Sequence, residues 1–583
     1  MGPASFNILE SRWHLLAEAL LLLLLLAAAL LLPRPKSPRP LATRIERAIV
    51  AMADGPWRSA LLVGTLAVVL RAALLPVLGP PVPYIADEFS ILLQAQTFAL
   101  GHLSMPTHPL HDFFESYYVN QAPRYASMYF PGRGAPLALG IVLGGTPWLG
   151  VWLSMVALCM AVTWMLRAWV SQPLALVGGM LVVLKFAVLS GWVNSYFGGG
   201  FTALGGVLVL GAYPRLRRRP RWRDGTALGA GLFILMISRP FEGLLFAAPF
   251  AIALAWTMLH RLRSRQPLGA GRTALPALLC VGAGLLLLLG ANAATTGSPL
   301  KDPYSLHRST HAVAPPFLFQ QATTPSQALP ANMVVGYRAE AEPHAQRNSP
   351  RGLLAKFAST FRRAFEFYVG PLFAIPFLLG LLSLRRDPAL IASGALLSLG
   401  ILANTWDWSH YWAPGFGLFI VLIMRGFHRL RHRQFGSRAS GPFPARALPL
   451  AAAAMTAAPA AALYAGAPRP EPEAFFRSCC AVATQTPRSM IVDQLLATTG
   501  PDLVLVRHRP DEQPFLTLVA NEPDIDRSPI VWAHDLGPAN RRLFDHYPDR
   551  NVWRVDGIAD TRAVLQRPAP QPLQPPAPRR PAG

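Results

Sequence analysis

Asp87 and Glu88 stand side by side in Tyr84-Ile85-Ala86-Asp87-Glu88-Phe89, directly after a long apolar run. An acidic pair so near lipid is costly unless it is solvated or does work. In the stretch that follows come His102, His108, His111, Asp112 and Glu115, the tyrosines Tyr117, Tyr118, Tyr125 and Tyr129, and the arginines Arg124 and Arg133. Farther along, Arg239 precedes Glu242, and His410 precedes Tyr411. Carboxylates accept protons, and a guanidinium offers a fork of N–H donors that suits phosphate. Each group also has a plainer use. The acidic pair suits a helix N-terminus, the arginines suit interfacial anchoring or a pair with Glu242, and a histidine on such a turn is as often a satisfied interfacial residue.

His108-x-x-His111-Asp112-x-x-Glu115 has ligand-like spacing, because on a helix these four would share a face and all are suitable metal ligands. Pro109 interrupts that helix, and the aromatic neighbours suit an interfacial lid. A divalent metal stays compatible with the spacing, but no metal and no other cofactor is assigned.

The elements that must hold these residues are membrane elements. Hydrophobic residues make up 52% of the 583 and charged residues 14%, against ~25% charged in soluble chains. The balance of Lys+Arg 53 over Asp+Glu 30 gives +23. That excess sits in short clusters between apolar runs, so it speaks for membrane topology and not for nucleic acid. Runs near the ~20 residues needed to span a bilayer occur at 15–32, 60–78, 148–168, 174–192, 198–213, 226–241, 243–259, 274–293, 368–384, 388–403, 412–427 and 447–465. Basic clusters at 33–58, 214–225, 261–272, 385–386 and 425–446 belong on the cytoplasmic side. They can all lie inside only if the short run at 135–146 enters without crossing, as a half-helix. About twelve crossings follow, with both termini outside. Arg71 and Lys185 lie within apolar runs, where each either lines a cavity or pairs with an acid.

The expected organisation is an N-terminal helix with a basic cytoplasmic loop (1–58) and a transmembrane core (59–430) with outer loops at 79–134 and 294–367. A basic loop and last helix (431–465), an outer C-terminal segment (466–566) and a proline-rich disordered tail (567–583) complete it. In the C-terminal segment, 502–507, 530–534 and 551–556 read as strands, and 490–498 and 539–546 as helices, which predicts a small α/β domain. The four cysteines make neither a disulfide framework nor a zinc spacing. The bias of Arg over Lys suits a bacterium, which places the chain in the inner membrane with its C-terminal domain in the periplasm.

At the acidic pair opening a long loop, the apolar–polar stretch Phe89–Leu100 after it, and the return Tyr129-Phe130-Pro131-Gly132-Arg133, the chain resembles the GT-C superfamily of integral-membrane glycosyltransferases. In particular it is similar to the bacterial branch related to protein O-mannosyltransferases and lipid A aminoarabinose transferases. Asn194–Gly200, Ser238–Gly243 and His410–Pro414 also look like segments of that branch. The resemblance implies a GT-C-like fold and transfer of a sugar from a polyprenyl-phosphate donor to a glycan, lipid or protein acceptor on the outer side, with inversion at the anomeric carbon. It implies Asp87 as general base with Glu88 as helper. Arg133, Arg239, Arg124 and His410 would hold the donor phosphate, and Tyr129, Tyr196 and Glu242 would serve the acceptor or a lid. Two rivals need no such loop chemistry: a transporter or flippase of lipid-linked sugars, and a non-catalytic envelope assembly protein.

Overall fold

The computed structural model describes residues 13–31, 40–264, 270–325, 329–433, 441–467, 478–480, 485–509, 512–513 and 515–557. The expected disordered tail at 567–583 lies outside the described residues, as do the basic positions Arg34, Lys36 and Arg39.

All twelve apolar runs are helical, but they do not all have the length of a crossing. Among the described residues, seven helices are long and apolar enough: Trp13–Leu31, Pro56–Ala73, Pro147–Leu166, Pro240–Arg263, Gly271–Thr296, Ser409–His432 and Pro442–Tyr464. An eighth forms if Pro350–Val369 and Pro371–Leu381, bent by 82° at Gly370, count as one span. This corrects the expected twelve. Gln172–Phe186 and Pro388–Ala403 have 15 and 16 residues, only about 23–24 Å at the helical rise against a ~30 Å hydrocarbon core. Gly200–Arg218 carries Arg215, Arg217 and Arg218 in its last turn. Trp222–Ser238 carries Asp224 in its first turn and has 17 residues. The run at 135–146 is the ten-residue helix Ala135–Gly144, about 15 Å long. It lies tightly against Pro147–Leu166, where a Cβ on Gly150 would meet the Pro136 carbonyl oxygen at 1.8 Å.

The bundle core follows the helical period. Met155, Leu158, Cys159, Val162, Met165 and Leu166 are buried on one helix and pack into a cluster with Val183, Phe186, Val207, Leu210 and Phe416. Leu16, Leu20, Leu23 and Leu24 of Trp13–Leu31 remain exposed, an apolar surface suited to lipid. Both cations within the apolar runs find partners. Lys185 pairs with Glu18 at 3.4 Å, and Glu18 also accepts the Leu372 N–H at 3.3 Å. Arg71 donates to Asn194 Oδ1 at 3.2 Å and to the Gly79 carbonyl at 2.9 Å, beneath Trp148.

Two small sheets lie in the segments flanking the bundle. In the 79–134 loop, β1 (Met105–Pro106), β2 (Val119–Asn120) and β3 (Arg124–Ser127) pair antiparallel in the order β1-β3-β2. In the C-terminal segment, β4 (Asp502–Arg507), β5 (Ile530–His534) and β6 (Asn551–Asp556) form a parallel sheet in the order β5-β4-β6, with Asp502 opposite both Ile530 and Asn551. Helices Pro487–Leu496 and Arg541–His546 accompany it. Leu503 and Leu505 face the loop residues Leu110, Phe113, Phe114 and Tyr125. Val504 and Val506 face Ile491, Leu495 and Trp532 on the other side. Covering both faces explains why β4 reads as a continuous apolar run. Cys479 and Cys480 are bonded to each other as a vicinal disulfide, a pairing the spacing did not suggest.

Candidate active site

The acidic pair opens the helix Ala86–Ala99, and its two members turn different ways. The residue before that helix is Ile85, which has no oxygen to cap it, so Glu88 does the work from the third helical position. One Glu88 oxygen accepts the N–H groups of Tyr84 (2.9 Å) and Ile85 (3.3 Å), and the other accepts that of Tyr196 (2.8 Å). Burial pushes its carboxyl up to about 7, against the pull of those N–H groups. Glu88 therefore fastens the helix start to the Tyr196 segment and is not among the residues that line the cavity with Asp87.

Asp87 faces the other way, into a cavity of about 490 Å³, a size suited to a small-molecule ligand. The Tyr129 hydroxyl donates to its carboxylate. Burial pushes the Asp87 carboxyl up to about 6, opposed by the Tyr129 hydrogen bond and by the positive charge of Arg133. A carboxylate in that range can take a proton near neutral pH.

Arg133 and Arg239 line the same cavity. The turn that presents Arg133 depends on Gly132. Its N–H donates to the Ile237 carbonyl at 2.8 Å, and a Cβ there would sit 2.9 Å from the Ile237 backbone. The Arg133 guanidinium donates to the Gly198 carbonyl at 2.8 Å and lies over the rings of Tyr129 and Phe197. Burial, with Arg239 nearby, lowers its pKa to about 10, so it stays charged at neutral pH. Arg239 immediately precedes the helix Pro240–Arg263, pairs with Glu242 at 3.0 Å and lies over Tyr411 at 4.3 Å. His410 packs its ring on Phe197 at 4.4 Å at the same end of the cavity.

Three other expected site residues take structural places. Arg124 donates to Ser104 Oγ at 3.1 Å and lies outside the cavity lining. Tyr196 gives its N–H to Glu88 and its hydroxyl to the Pro81 carbonyl at 2.8 Å. Glu242 stands behind Arg239 as its counter-ion. Each was singled out by residue type near a motif, and type does not say which way a side chain turns.

The far wall comes from residues the sequence reading passed over. Arg308 pairs with Glu340 at 2.7 Å. Asp407 accepts from Arg363 at 2.8 Å, Arg347 at 3.2 Å, and the hydroxyls of Ser359 and Thr360. Burial alone would raise the Asp407 carboxyl, but Arg363 and Arg347 outweigh it and hold the pKa below the ordinary value. Arg308 lies over Trp406 at 4.6 Å and Arg363 over Trp408 at 4.5 Å. The run Trp406-Asp407-Trp408 was the one available signal. Phe515, from the C-terminal segment, also lines the cavity, and its carbonyl accepts the Ala86 N–H beside Asp87 at 2.9 Å.

The four residues with ligand-like spacing are dispersed. His111–Phe114 is a short 3-10 turn, not an α-helix, so they share no face. His108 meets Asp526 (3.0 Å), Asp112 meets Arg542 (2.7 Å), and Glu115 meets His311 (3.3 Å). His108, Asp526 and His546 do bring ligand atoms within 4.8 Å of one another. The Leu110 N–H donates to His108 Nδ1 at 3.0 Å. That puts the proton of a neutral ring on Nε2, facing Asp526, and leaves no lone pair there for a metal. A cation at this cluster would first have to break the Leu110 bond.

No family model and no curated protein matches the chain. Among solved structures it is similar to the oligosaccharyltransferase of Archaeoglobus fulgidus. The apo form matches at 11% identity and TM-score 0.38, over 77% of this chain and 62% of that one. The complex with Zn and sulfate matches at 12% and 0.41, over 77% and 60%. The AglB complex with an inhibitory peptide and a dolichol-phosphate matches at 12% and 0.34, over 80% and 63%. The chain thus spans about three fifths of the length of those proteins.

Proposed function

We propose that this chain is a GT-C-type membrane glycosyltransferase that moves a sugar from a polyprenyl-phosphate donor to a hydroxyl-bearing glycan, lipid or protein. In this reading it lies in a bacterial inner membrane, with the cavity and the C-terminal segment on the periplasmic side. The observation that carries the reading is a raised carboxyl, Asp87, opening into one cavity with Arg133 and Arg239.

The acceptor hydroxyl gives its proton to the Asp87 carboxylate as its oxygen bonds to the anomeric carbon. The bond from that carbon to the phosphate oxygen breaks, and its electron pair stays on the phosphate. A phosphodiester monoanion thereby becomes a monoester dianion, a leaving group that needs no general acid. It needs cations placed in advance, and Arg133 and Arg239 supply them. A single displacement inverts the anomeric centre. Tyr129 holds the base through its hydroxyl. Fixing a base and its partner in this way is what makes proton transfer efficient.

The test is release of polyprenyl phosphate from a panel of lipid-linked sugars by detergent-purified protein, with Asp87→Asn beside the wild type. The reading requires release by the wild type and a loss on the order of 10²-fold or more in the variant, at an equal or higher melting temperature. Equal release by both proteins would remove Asp87 as the base. Release by neither, with each acceptor class supplied, would favour transport or assembly.

A further inference from the structure

The charges around the cavity do not cancel: five arginines line it against the carboxylates of Asp87, Glu340 and Asp407, with Glu242 behind Arg239. Arg308 is matched by Glu340, and Arg239 by Glu242. Arg133 has no carboxylate within ion-pair distance among the described residues and leans on the Gly198 carbonyl. At the other end Arg347 and Arg363 share the single carboxylate of Asp407. Exposure decides what a ligand meets there. The Asp407 side chain is 1% exposed, while those of Arg347 and Arg363 are 20% and 28% exposed. The acid is hidden, whereas both arginine side chains line the cavity and are partly exposed, Arg347 also donating to the Thr405 carbonyl. Lys356, directed at the Asn404 carbonyl behind them, adds a further positive charge. Arg363 is held by Asp407 through one nitrogen and lies over the Trp408 ring, which leaves its remaining N–H groups placed for an oxyanion.

We infer a second anion-binding subsite at Arg347 and Arg363, separate from the phosphate subsite at Arg133 and Arg239. Its ligand is a carboxylate or phosphate group carried by the same donor. The segment Trp406–Tyr411 supports one extended ligand, because it contributes Asp407 at this end and Tyr411, under Arg239, at the other. The inference rests on the proposed role of Arg133 and Arg239, and adds that the donor carries two separated anionic groups. The second group is an acidic group on the sugar; a diphosphate carrier, whose two phosphates are adjacent and which would replace the monophosphate leaving group, is the alternative that the test distinguishes.

Inorganic phosphate is the first probe, followed by 31P line broadening with the full chain in detergent. Arg133→Gln should retain broadening from the second subsite, and adding Arg363→Gln should weaken it about 10- to 100-fold, the worth of a charge-assisted hydrogen bond. Arg347→Gln, which leaves the Arg363–Asp407 bond in place, should weaken it in the same direction and guards against a folding effect of Arg363→Gln. Complete loss on Arg133→Gln alone would overturn the second subsite and leave the proposed function standing. No broadening with the wild type would overturn both. Two paired comparisons then locate the second anion. They set citronellyl diphosphate against citronellyl phosphate, and citronellyl-phosphate-linked glucuronic acid against the glucose equivalent. An Arg363-dependent preference in the first pair places the anion on the carrier, and in the second pair on the sugar. No preference in either would refute a donor with two anionic groups.

Discussion

Tyr129→Phe removes one oxygen and with it the donor that Asp87 uses. The Tyr129 hydrogen bond opposes burial in setting the Asp87 carboxyl at about 6. A hydrogen bond to a charged group contributes ~1.5–3 kcal/mol, and one pKa unit corresponds to about 1.4 kcal/mol. The carboxyl should therefore rise by roughly 1–2 units in the variant. A general base works only when deprotonated, so kcat/KM for release of polyprenyl phosphate should climb to a plateau through the Asp87 pKa. In the variant that climb should move to about pH 7–8. Near pH 6 the variant should be roughly 5- to 50-fold slower than the wild type, and near pH 9 the two should agree within about 2-fold. Initial rates at low substrate from about pH 5 to 9 would check this. A half-rise that stays in place, or moves to lower pH, would refute the assignment of Asp87 as the base held by Tyr129. A uniform loss at every pH would mean that Tyr129 acts on the substrate instead.

Asp87→Asn should not destabilise the chain. A carboxyl raised from 3.8 to about 6 means that the folded chain keeps a proton the unfolded chain releases. Its stabilising share is present below about pH 4 and is lost as pH rises through about 6, with an upper bound of ~3 kcal/mol. The variant should therefore melt at or above the wild-type temperature at pH 8, and a lower melting point there would contradict the burial cost assigned to the Asp87 carboxylate. Glu88→Ala should behave oppositely at low pH. It removes the acceptor of three N–H groups, so at about pH 5 the melting temperature should drop by the equivalent of about 2–3 kcal/mol, a loss that shrinks as pH rises through about 7 and the buried carboxyl ionises, while the acid limb of any remaining activity keeps its midpoint. Lys185→Met leaves Glu18 buried and unpaired, at a cost of ~3–5 kcal/mol. Adding Glu18→Gln should restore most of that stability in detergent melts, and no restoration would deny the pair its role.

Composition carried the bundle, and length corrected the number of crossings. Apolar runs reveal helices in a membrane chain, but Gln172–Phe186 and Pro388–Ala403 become too short once their ends are fixed by Ser171-Gln172-Pro173 and Asp387-Pro388. Those Pro starts were visible in the sequence. So was the division of labour in the acidic pair, because an acid at the third helical position reaches back to the backbone ahead of it, and that position is Glu88. Short apolar runs bounded by turns located β4, β5 and β6. The far wall of the cavity was not legible. Arg308 and Glu340 lie 32 positions apart, and Arg363 and Asp407 44. Only the path of the chain brings them together. The dispersal of the ligand-like residues was legible in part, since their spacing presumes an α-helix that Pro109 interrupts, and His111–Phe114 is a short 3-10 turn.

The contact between the 79–134 loop and the C-terminal sheet sets an order of events during synthesis. Asp112 meets Arg542 across 430 positions, and the Glu115 carbonyl meets His534 across 419. At about 5–20 residues per second, the loop is made some tens of seconds before the strands that cover Phe113 and Phe114. Throughout that interval these rings lack their final cover, and the Ala86 N–H beside Asp87 lacks the Phe515 carbonyl. A nascent chain therefore holds the first helices of the bundle long before it holds a finished cavity. The cavity that Asp87 and Phe515 both line is complete only when nearly all of the polypeptide has been made.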